Sequence, residues 1–192
     1  MSIAGCSEWV PLWVERLLPK TLRINLGLED IKSTDQKQTE EYDKPDTFLY
    51  AIHNNKKDEV AKYLRRKATA AELLNKRDSN GATPLHWAVL TDQVQVYEYI
   101  INRFPERVID RYEVGGKDLY TGETCLHIAV VKDDLELMKK LLRLEPELIN
   151  LTAYGFFFQH TVYYGEYPLS FAVCRGNEEM VRCVDGGVHA SD

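Results

Sequence analysis

The stretch GETCLHIA, residues 122–129, decides the fold because the chain repeats it. Residues 81–88 read GATPLHWA, residues 165–172 read GEYPLSFA, and a weaker copy, DTFLYA, occupies residues 46–51. The alanines that end these copies lie 37, 41 and 43 residues apart. A motif that returns at such intervals predicts a solenoid, in which each unit buries its apolar face against the next one.

Apolar residues follow these alanines at a helical spacing. After Ala88 and Ala129 they stand 6, 8, 9, 12 and 13 positions further along the chain. The two sets are Val94, Val96, Tyr97, Ile100 and Ile101, and Leu135, Leu137, Met138, Leu141 and Leu142. After Ala51 and Ala172 the pattern is kept in part. The spacing predicts an inner helix, a tight connection and an outer helix in each unit.

The copy at residues 81–88 contains T-P-L-H-x-A, which is the ankyrin signature. We therefore predict an all-α ankyrin-repeat solenoid of about four repeats, the last one incomplete. The intervals exceed the usual period of about 33 residues, which predicts long finger loops between the repeats. The predicted boundaries are an N-terminal segment and polar linker at 1–45, repeats at 46–80, 81–121, 122–164 and 165–184, and a short tail at 185–192.

The pair of Cys125 and His127 raises the question of a catalytic or metal site. His86 occupies the slot of His127 one repeat earlier, and Pro84 occupies the slot of Cys125. A residue that recurs at the repeat period indicates scaffolding, with the imidazole bonded to backbone at the repeat turn. The predicted structural repeat positions are Leu85, His86, Ala88, Leu126, His127, Ala129, Leu169 and Ala172.

The charge, the cysteine spacing and the lack of catalytic motifs argue against several classes of function. The formal net charge is -6 and the sequence pI is about 5.4, which argues against a nucleic-acid partner. The four cysteines fit no zinc pattern, so we expect free thiols, no metal and no cofactor. We find no nucleophile–base constellation outside the repeat positions and predict that the chain is not an enzyme. The segment Gly115-Gly116-Lys117 lacks the spacing of a phosphate-binding loop.

The insertions between repeats distinguish this array. They occupy residues 105–122 and 146–165, and insertions in solenoids map to one face, often the binding face. We predict that the second one partly packs on its own scaffold and partly anchors a partner. Its candidate partner-binding residues are Phe156, Phe157, Phe158, Tyr163 and Tyr164.

A basic cluster at Lys62, Arg65, Arg66 and Lys67 is either a solvated face or a surface that steers an acidic ligand.

Residues 155–184, GFFFQHTVYYGEYPLSFAVCRGNEEMVRCV, resemble the third-repeat region of transient receptor potential vanilloid-type (TRPV) channels. That family shows a Gly-x-Phe-Phe loop and then an aromatic-Gly-Glu-x-Pro-Leu-Ser-hydrophobic-Ala run, which here extends from Tyr164 to Ala172. YTGETCLHIA, residues 120–129, is similar to the repeat before it. The resemblance covers about residues 46–184 and is nearest to the invertebrate sensory branch of the family.

The resemblance implies the cytosolic ankyrin part of a calcium-permeable, tetrameric channel in the plasma membrane, including that of sensory cilia. It implies contacts with other channel subunits, calmodulin or another regulatory protein, and a role in assembly and regulation. Tyr120 is the one residue that carries over to the partner-binding set from a concave-face site of some relatives. Glu123 stands where an amide is expected and Val131 where an acid is expected, which speaks against a bound nucleotide.

The chain also departs from the family after Val184, where it reads DGGVHASD and ends before further repeats and six membrane spans. No apolar run approaches the ~18 residues of a membrane span, so this chain alone is expected in the cytoplasm and unable to conduct ions. We interpret it as a fragment, a partial gene model or a short isoform. The alternative function is a soluble ankyrin-repeat adaptor that binds a protein partner.

Overall fold

The computed structural model describes residue 40 and residues 42–78, 80–113, 120–155 and 167–185. Over these ranges the chain forms helices joined by turns, and a single antiparallel bridge pairs Arg111 with Thr124. The α-helices are α1 Phe48–His53, α2 Lys57–Tyr63, α3 Lys67–Leu74, α4 Pro84–Leu90, α5 Val94–Arg103, α6 Cys125–Val131, α7 Leu135–Leu144, α8 Pro168–Arg175 and α9 Glu178–Asp185. The predicted all-α ankyrin solenoid is confirmed.

The connection between inner and outer helix is the same in every repeat. The residue four positions after each motif alanine has a positive φ, and these residues are Asn55 at 54°, Asp92 at 60°, Asp133 at 58° and Gly176 at 70°. Asn, Asp and Gly are the residues that enter the left-handed region at low cost, and this conformation ends a helix. The tight connection predicted from the sequence is therefore the C-terminus of the inner helix, and the same conformation occurs in all four repeats.

The motif alanines mark where the helices approach one another most closely. Ala51, Ala88, Ala129 and Ala172 are each 0% exposed. The carbonyl oxygen of Ala88 accepts the N–H of Gln93 at 2.8 Å, and Ala51 and Ala129 accept equivalent bonds at 2.9 Å. A larger side chain at this slot would displace the neighbouring helix, since protein interiors are close-packed.

Helical structure also occurs where the sequence pattern predicted no helix. α3 lies within the predicted first repeat, 46–80, after its outer helix, in an alanine-rich stretch that buries Ala70 and Leu74. Two 3-10 helices, Pro105–Ile109 and Pro146–Asn150, open the long insertions. Proline is pre-organised for a first helical position, where its missing N–H is not needed. These turns shorten the irregular part of each insertion.

Polar bridges link consecutive repeats along their helix connections. The ammonium of Lys132 donates to the carbonyl oxygens of Val89 at 3.1 Å and Leu90 at 2.9 Å, which end the preceding inner helix. It also pairs with the carboxylate of Asp92. Cations stabilise the carbonyl end of a helix dipole, so this lysine caps the preceding repeat and fixes its register on the next one.

The N-terminal boundary of the array contains an aromatic contact. Tyr42, which lies within the predicted segment 1–45, is 1% exposed and stacks on Trp87 with ring centroids 4.1 Å apart. Trp87 belongs to the inner helix α4 of the second repeat. The last residues of the predicted linker therefore belong to the packed core.

Candidate interaction surface at the repeat turns and fingers

The turn before α4 is a capping network centred on His86. Thr83 is the N-cap of α4, and its hydroxyl oxygen accepts the N–H of His86 at 3.3 Å. The Nδ1 atom of His86 accepts the N–H of Thr83 at 3.1 Å. Nε2 lies 3.1 Å from the carbonyl oxygen of Asp110, in the segment that leads to the next repeat. The imidazole thus joins its own turn to the following finger.

These contacts fix the protonation state of the ring. Because Nδ1 accepts a backbone N–H, the proton resides on Nε2, which donates to Asp110. Burial, and after it the positive charge of Arg77, lowers the pKa of His86 to about 3. His86 is 0% exposed and neutral at physiological pH. A neutral, fully bonded imidazole has the chemistry of a scaffold rather than of a general acid.

The turn before α6 repeats this geometry. The Nδ1 atom of His127 accepts the N–H of Thr124 at 3.2 Å and lies 3.0 Å from the Thr124 hydroxyl. The ring meets Phe171 of the fourth repeat edge-on, with centroids 5.2 Å apart. Cys125 beside it is 0% exposed, and burial raises the pKa of its thiol far above the ordinary value. The thiol is therefore protonated and shielded, which is unsuited to nucleophilic chemistry.

The fourth turn departs from this pattern. Tyr167 is the N-cap of α8 and makes no side-chain cap hydrogen bond. Ser170 replaces the histidine and is half-buried, and its backbone N–H donates to the carbonyl oxygen of Tyr167 at 3.0 Å. Leu169 is half-buried, whereas Leu85 and Leu126 in the same slot are 1% and 0% exposed. The threonine–histidine pair thus occurs in the second and third repeats, whereas in the first repeat the Thr47 hydroxyl caps α1 by accepting the N–H of Tyr50 at 3.1 Å.

Each repeat turn carries the base of a finger. The N–H of Tyr112 donates to the carbonyl oxygen of Glu123 at 2.8 Å, and the N–H of Gly122 returns a bond to Tyr112 at 2.9 Å. Gly81 and Gly122 have φ of 83° and 87°, and a Cβ on either would overlap a backbone carbonyl oxygen of the next finger. The glycines of the motif are therefore required by close backbone contact as well as by φ.

The structure describes one of the six predicted partner-binding residues. Tyr120 is 4% exposed and its ring lies edge-on to Tyr112 at 5.9 Å, so it belongs to the core of the finger base. The other five candidates lie outside the described residues, and they are Phe156, Phe157, Phe158, Tyr163 and Tyr164. Glu123 and Val131 are 0% and 5% exposed, so their side chains are buried rather than displayed on a ligand-binding face.

The sequence pattern did not predict a cluster of charged residues around the first insertion, residues 105–122. Arg77 donates to the carbonyl oxygen of Arg111 at 2.7 Å and pairs with Glu113 at 2.8 Å. Together with Ile109 and Tyr154 they line a groove of about 540 Å³. No periodic pattern marks these residues in the sequence, because they come from three non-equivalent segments that only the fold brings together.

Within the described ranges, no group of three or more His, Cys, Asp or Glu side chains is arranged to hold a metal ion. Within those ranges, also, no helix has both the length and the apolar character needed to cross a bilayer.

Comparison with known protein families gives matches over most of the repeat region. A family model described as ankyrin repeats (3 copies) matches residues 14–112, just over half of the chain. A model of the single ankyrin repeat matches residues 121–152. The first match begins inside the segment 1–45, and the predicted domain boundaries stay predictions.

Known relatives fall into two groups. Transient receptor potential cation channel subfamily V member 6 of Rattus norvegicus is 36% identical over 139 residues, which cover 70% of this chain and 17% of the channel. Member 5 of Homo sapiens is 35% identical over 113 residues, 57% of this chain and 15% of the channel. NF-kappa-B inhibitor alpha of Gallus gallus is 33% identical over 101 residues, 50% of this chain and 28% of the inhibitor. The chain spans about a sixth of the length of the channel relatives that it matches.

Proposed function

The chain belongs to the ankyrin-repeat family, and we propose that it is the ankyrin-repeat region of a TRPV-type cation channel subunit. Its work there is to bind protein partners: neighbouring subunits during assembly, and regulatory proteins such as calmodulin. The parent is a tetrameric, calcium-permeable channel, and this region lies on the cytosolic side of the membrane. Placement in the invertebrate sensory branch stays a prediction, since the relatives named above come from vertebrates.

One observation carries this proposal. The similarity to the rat channel extends over 139 residues and 70% of this chain, whereas that to the NF-kappa-B inhibitor extends over 101 residues and 50%. Ankyrin repeats of any origin share the turn and helix positions, so the wider match supports a shared channel origin. The channel-like loop at residues 155–158, GFFF, supports the same assignment.

The architecture supports binding rather than catalysis. The inner helices and turns are buried and hydrogen-bonded, and the described parts of the long insertions are tied to the turns by the backbone N–H groups of Tyr112 and Tyr154. Rigid scaffolds that carry variable loops are typical of binding proteins. We assign partner contact to the aromatic residues of the second insertion, since aromatic side chains dominate the energetics of protein interfaces. These residues are Phe156, Phe157, Phe158, Tyr163 and Tyr164.

Co-purification tests the proposal. The chain, carrying an affinity tag, is expressed in cultured cells together with full-length subfamily V member 6 of the rat. We expect the channel subunit to co-purify with the chain, and calcium uptake by the cells to change when the chain is present. Absence of both effects, with a folded and well-expressed chain, contradicts the proposal for this channel.

A double substitution locates the contact. Phe157→Ser with Tyr163→Ser should reduce recovery of the channel subunit at least tenfold, as expected when an aromatic anchor of ~1.5 kcal/mol or more is removed from an interface. The far-ultraviolet circular dichroism should stay unchanged. Tyr63→Ser on α2, which removes an exposed tyrosine from another part of the array, is the matched control. Equal recovery of all three proteins would assign the second insertion to packing.

A free-standing adaptor is the second candidate, and the match to the NF-kappa-B inhibitor favours it. In that case the chain binds a protein partner with the same fingers but has no affinity for a channel subunit. The co-purification experiment separates the two candidates, because an adaptor retains binding partners of its own while the channel subunit stays in the unbound fraction.

A further inference from the structure

A groove at the base of the first insertion, residues 105–122, combines polar and apolar walls. It has a volume of about 540 Å³ and is formed by the segment Ile109–Glu113, Thr121 and Tyr154. Ile109 and Tyr154 are 42% and 41% exposed, although each is a large apolar or aromatic side chain. The groove therefore offers two accessible apolar surfaces beside the backbone of the finger.

One of the guanidinium groups at this groove has no ion pair within the described residues. Arg77 pairs with Glu113 at 2.8 Å, and Arg107 pairs with Asp110 at 2.9 Å. The guanidinium of Arg111, which also lines the groove, has no carboxylate partner within the described residues. A guanidinium binds a carboxylate through two parallel hydrogen bonds, so Arg111 is suited to an acidic group from outside the chain.

The walls of the groove are held in place before any ligand arrives. Arg77 donates to the carbonyl oxygen of Arg111 at 2.7 Å, which fixes the backbone beneath the guanidinium. The N–H of Tyr154 donates to the carbonyl oxygen of Thr121 at 2.9 Å. Its ring lies against Gly122, where a Cβ would come within 2.7 Å of it. Pre-organised walls lower the entropy cost of binding.

We propose that this groove docks an extended peptide segment of a partner protein, with an acidic side chain on Arg111 and an adjacent apolar side chain between Ile109 and Tyr154. The inference deepens the proposed function, on which it rests for the existence of a protein partner. A peptide is the occupant that matches both features, because successive side chains supply one carboxylate and one apolar group within a few ångströms. The chain's net charge of -6 disfavours a nucleic-acid occupant.

Selection from a displayed library of random heptapeptides tests the proposal. The probe is the library itself, applied to the wild-type chain and to the Arg111→Gln variant. Among the described residues the side chain of Arg111 makes no hydrogen bond or ion pair, so the variant should keep its circular dichroism and melting temperature. We expect wild-type selections to be enriched in Asp or Glu next to an apolar residue, and the Arg111→Gln selections to lose that enrichment.

Binding measurements then give the size of the effect. The most enriched peptide, labelled with fluorescein, should bind Arg111→Gln at least tenfold more weakly than wild type, because a charge-assisted pair of hydrogen bonds is lost. Tyr154→Ser should weaken it by a similar factor through the apolar wall. Arg143→Gln, at an exposed arginine on α7, is the matched control and should leave the affinity unchanged.

Two results would overturn the docking site. One is the absence of any enriched acidic–apolar motif, and the other is equal affinity of the selected peptide for wild type and Arg111→Gln. Either result leaves the co-purification with a channel subunit unaffected. A failed co-purification together with a positive peptide selection would instead reject the channel assignment and keep the groove.

Discussion

The third and fourth repeats both have a valine directly after the motif alanine, but one valine is buried and the other is exposed. Val130 follows the motif alanine of the third repeat and is 0% exposed, whereas Val173 follows that of the fourth and is 56% exposed. Val89 in the second repeat is 1% exposed. The inner helix α8 packs on α6, which contains Val130. Burial at this slot is therefore conferred by the neighbouring repeat and not by the residue itself.

The turns before the inner helices also differ, since the fourth repeat lacks the threonine–histidine cap of the second and third. In the second and third repeats a threonine and a histidine cap the inner helix through backbone and side-chain hydrogen bonds. In the fourth repeat Tyr167 and Ser170 occupy these slots, and Tyr167 is 48% exposed. A repeat is therefore stabilised both by its own cap and by the repeat stacked on it. Substitutions at matched slots separate the two contributions.

The largest effect is expected for His86→Ala. The change removes the acceptor of the Thr83 N–H and the donor to the Asp110 carbonyl, and it leaves a cavity in a fully buried site. We expect the free energy of unfolding to fall by about 4 kcal/mol. Urea denaturation followed by circular dichroism measures it. Ser170→Ala at the same slot of the fourth repeat should cost under about 1 kcal/mol, and equal losses would contradict the comparison.

Next in size is Gly81→Ala in the finger turn. Its φ of 83° and the overlap of a Cβ with the Glu113 carbonyl oxygen should reduce the free energy of unfolding by about 3 kcal/mol. Gly176→Ala at the last helix connection shares the positive φ but meets no atom within 4 Å. Its loss should be about 1 kcal/mol, since only the left-handed conformation is penalised. Thermal melts of the two variants distinguish backbone overlap from φ alone.

Substitution of Val130 and of Val173 should change the free energy of unfolding by smaller amounts, but it tests the stacking of repeats more directly. Val130→Ala removes two buried methyl groups and should reduce the free energy of unfolding by about 2 kcal/mol. Val173→Ala should change it by less than about 0.5 kcal/mol, because the side chain is mainly in solvent. A loss at Val173 as large as that at Val130 would show that the end of the array is covered in solution.

Acid should destabilise the protein through His86. Its pKa is about 3 in the folded state and 6.5 in the unfolded state, so the unfolded chain binds more protons below pH 6.5. Stability is fully present above that pH and declines as the pH falls toward 3. Between pH 7.5 and 5.5 this histidine should account for a loss of about 1 kcal/mol. His86→Gln should show a shallower decline over this interval in urea titrations, and an unchanged decline would assign it to other groups.

Much of this fold follows from short-range patterns in the sequence. The offset of four from each alanine predicts the connection turn, since Asn55, Asp92, Asp133 and Gly176 are residue types that accept a positive φ. The histidine slot predicts backbone contacts because it recurs at the repeat period. These features are local, so that each repeat displays them independently of its neighbours.

Other features depend on contacts between segments that have no common pattern. α3 has an alanine-rich sequence with two buried positions and none of the repeat's periodicity, so the sequence did not predict it. Tyr42 is buried only because Trp87 lies beneath it. The groove around Arg111 requires three segments that approach only in the folded array. The candidate site is therefore less predictable than its scaffold.

Hydrogen exchange, followed by mass spectrometry with and without bound channel subunit, tests the central claim most directly. The account predicts that peptides from the inner helices α4 and α6 are already protected and change little on binding. Peptides that cover the insertions at residues 105–122 and 146–165 should gain protection. Protection gained at the inner helices, with none at the insertions, would contradict the assignment of scaffold and binding surface.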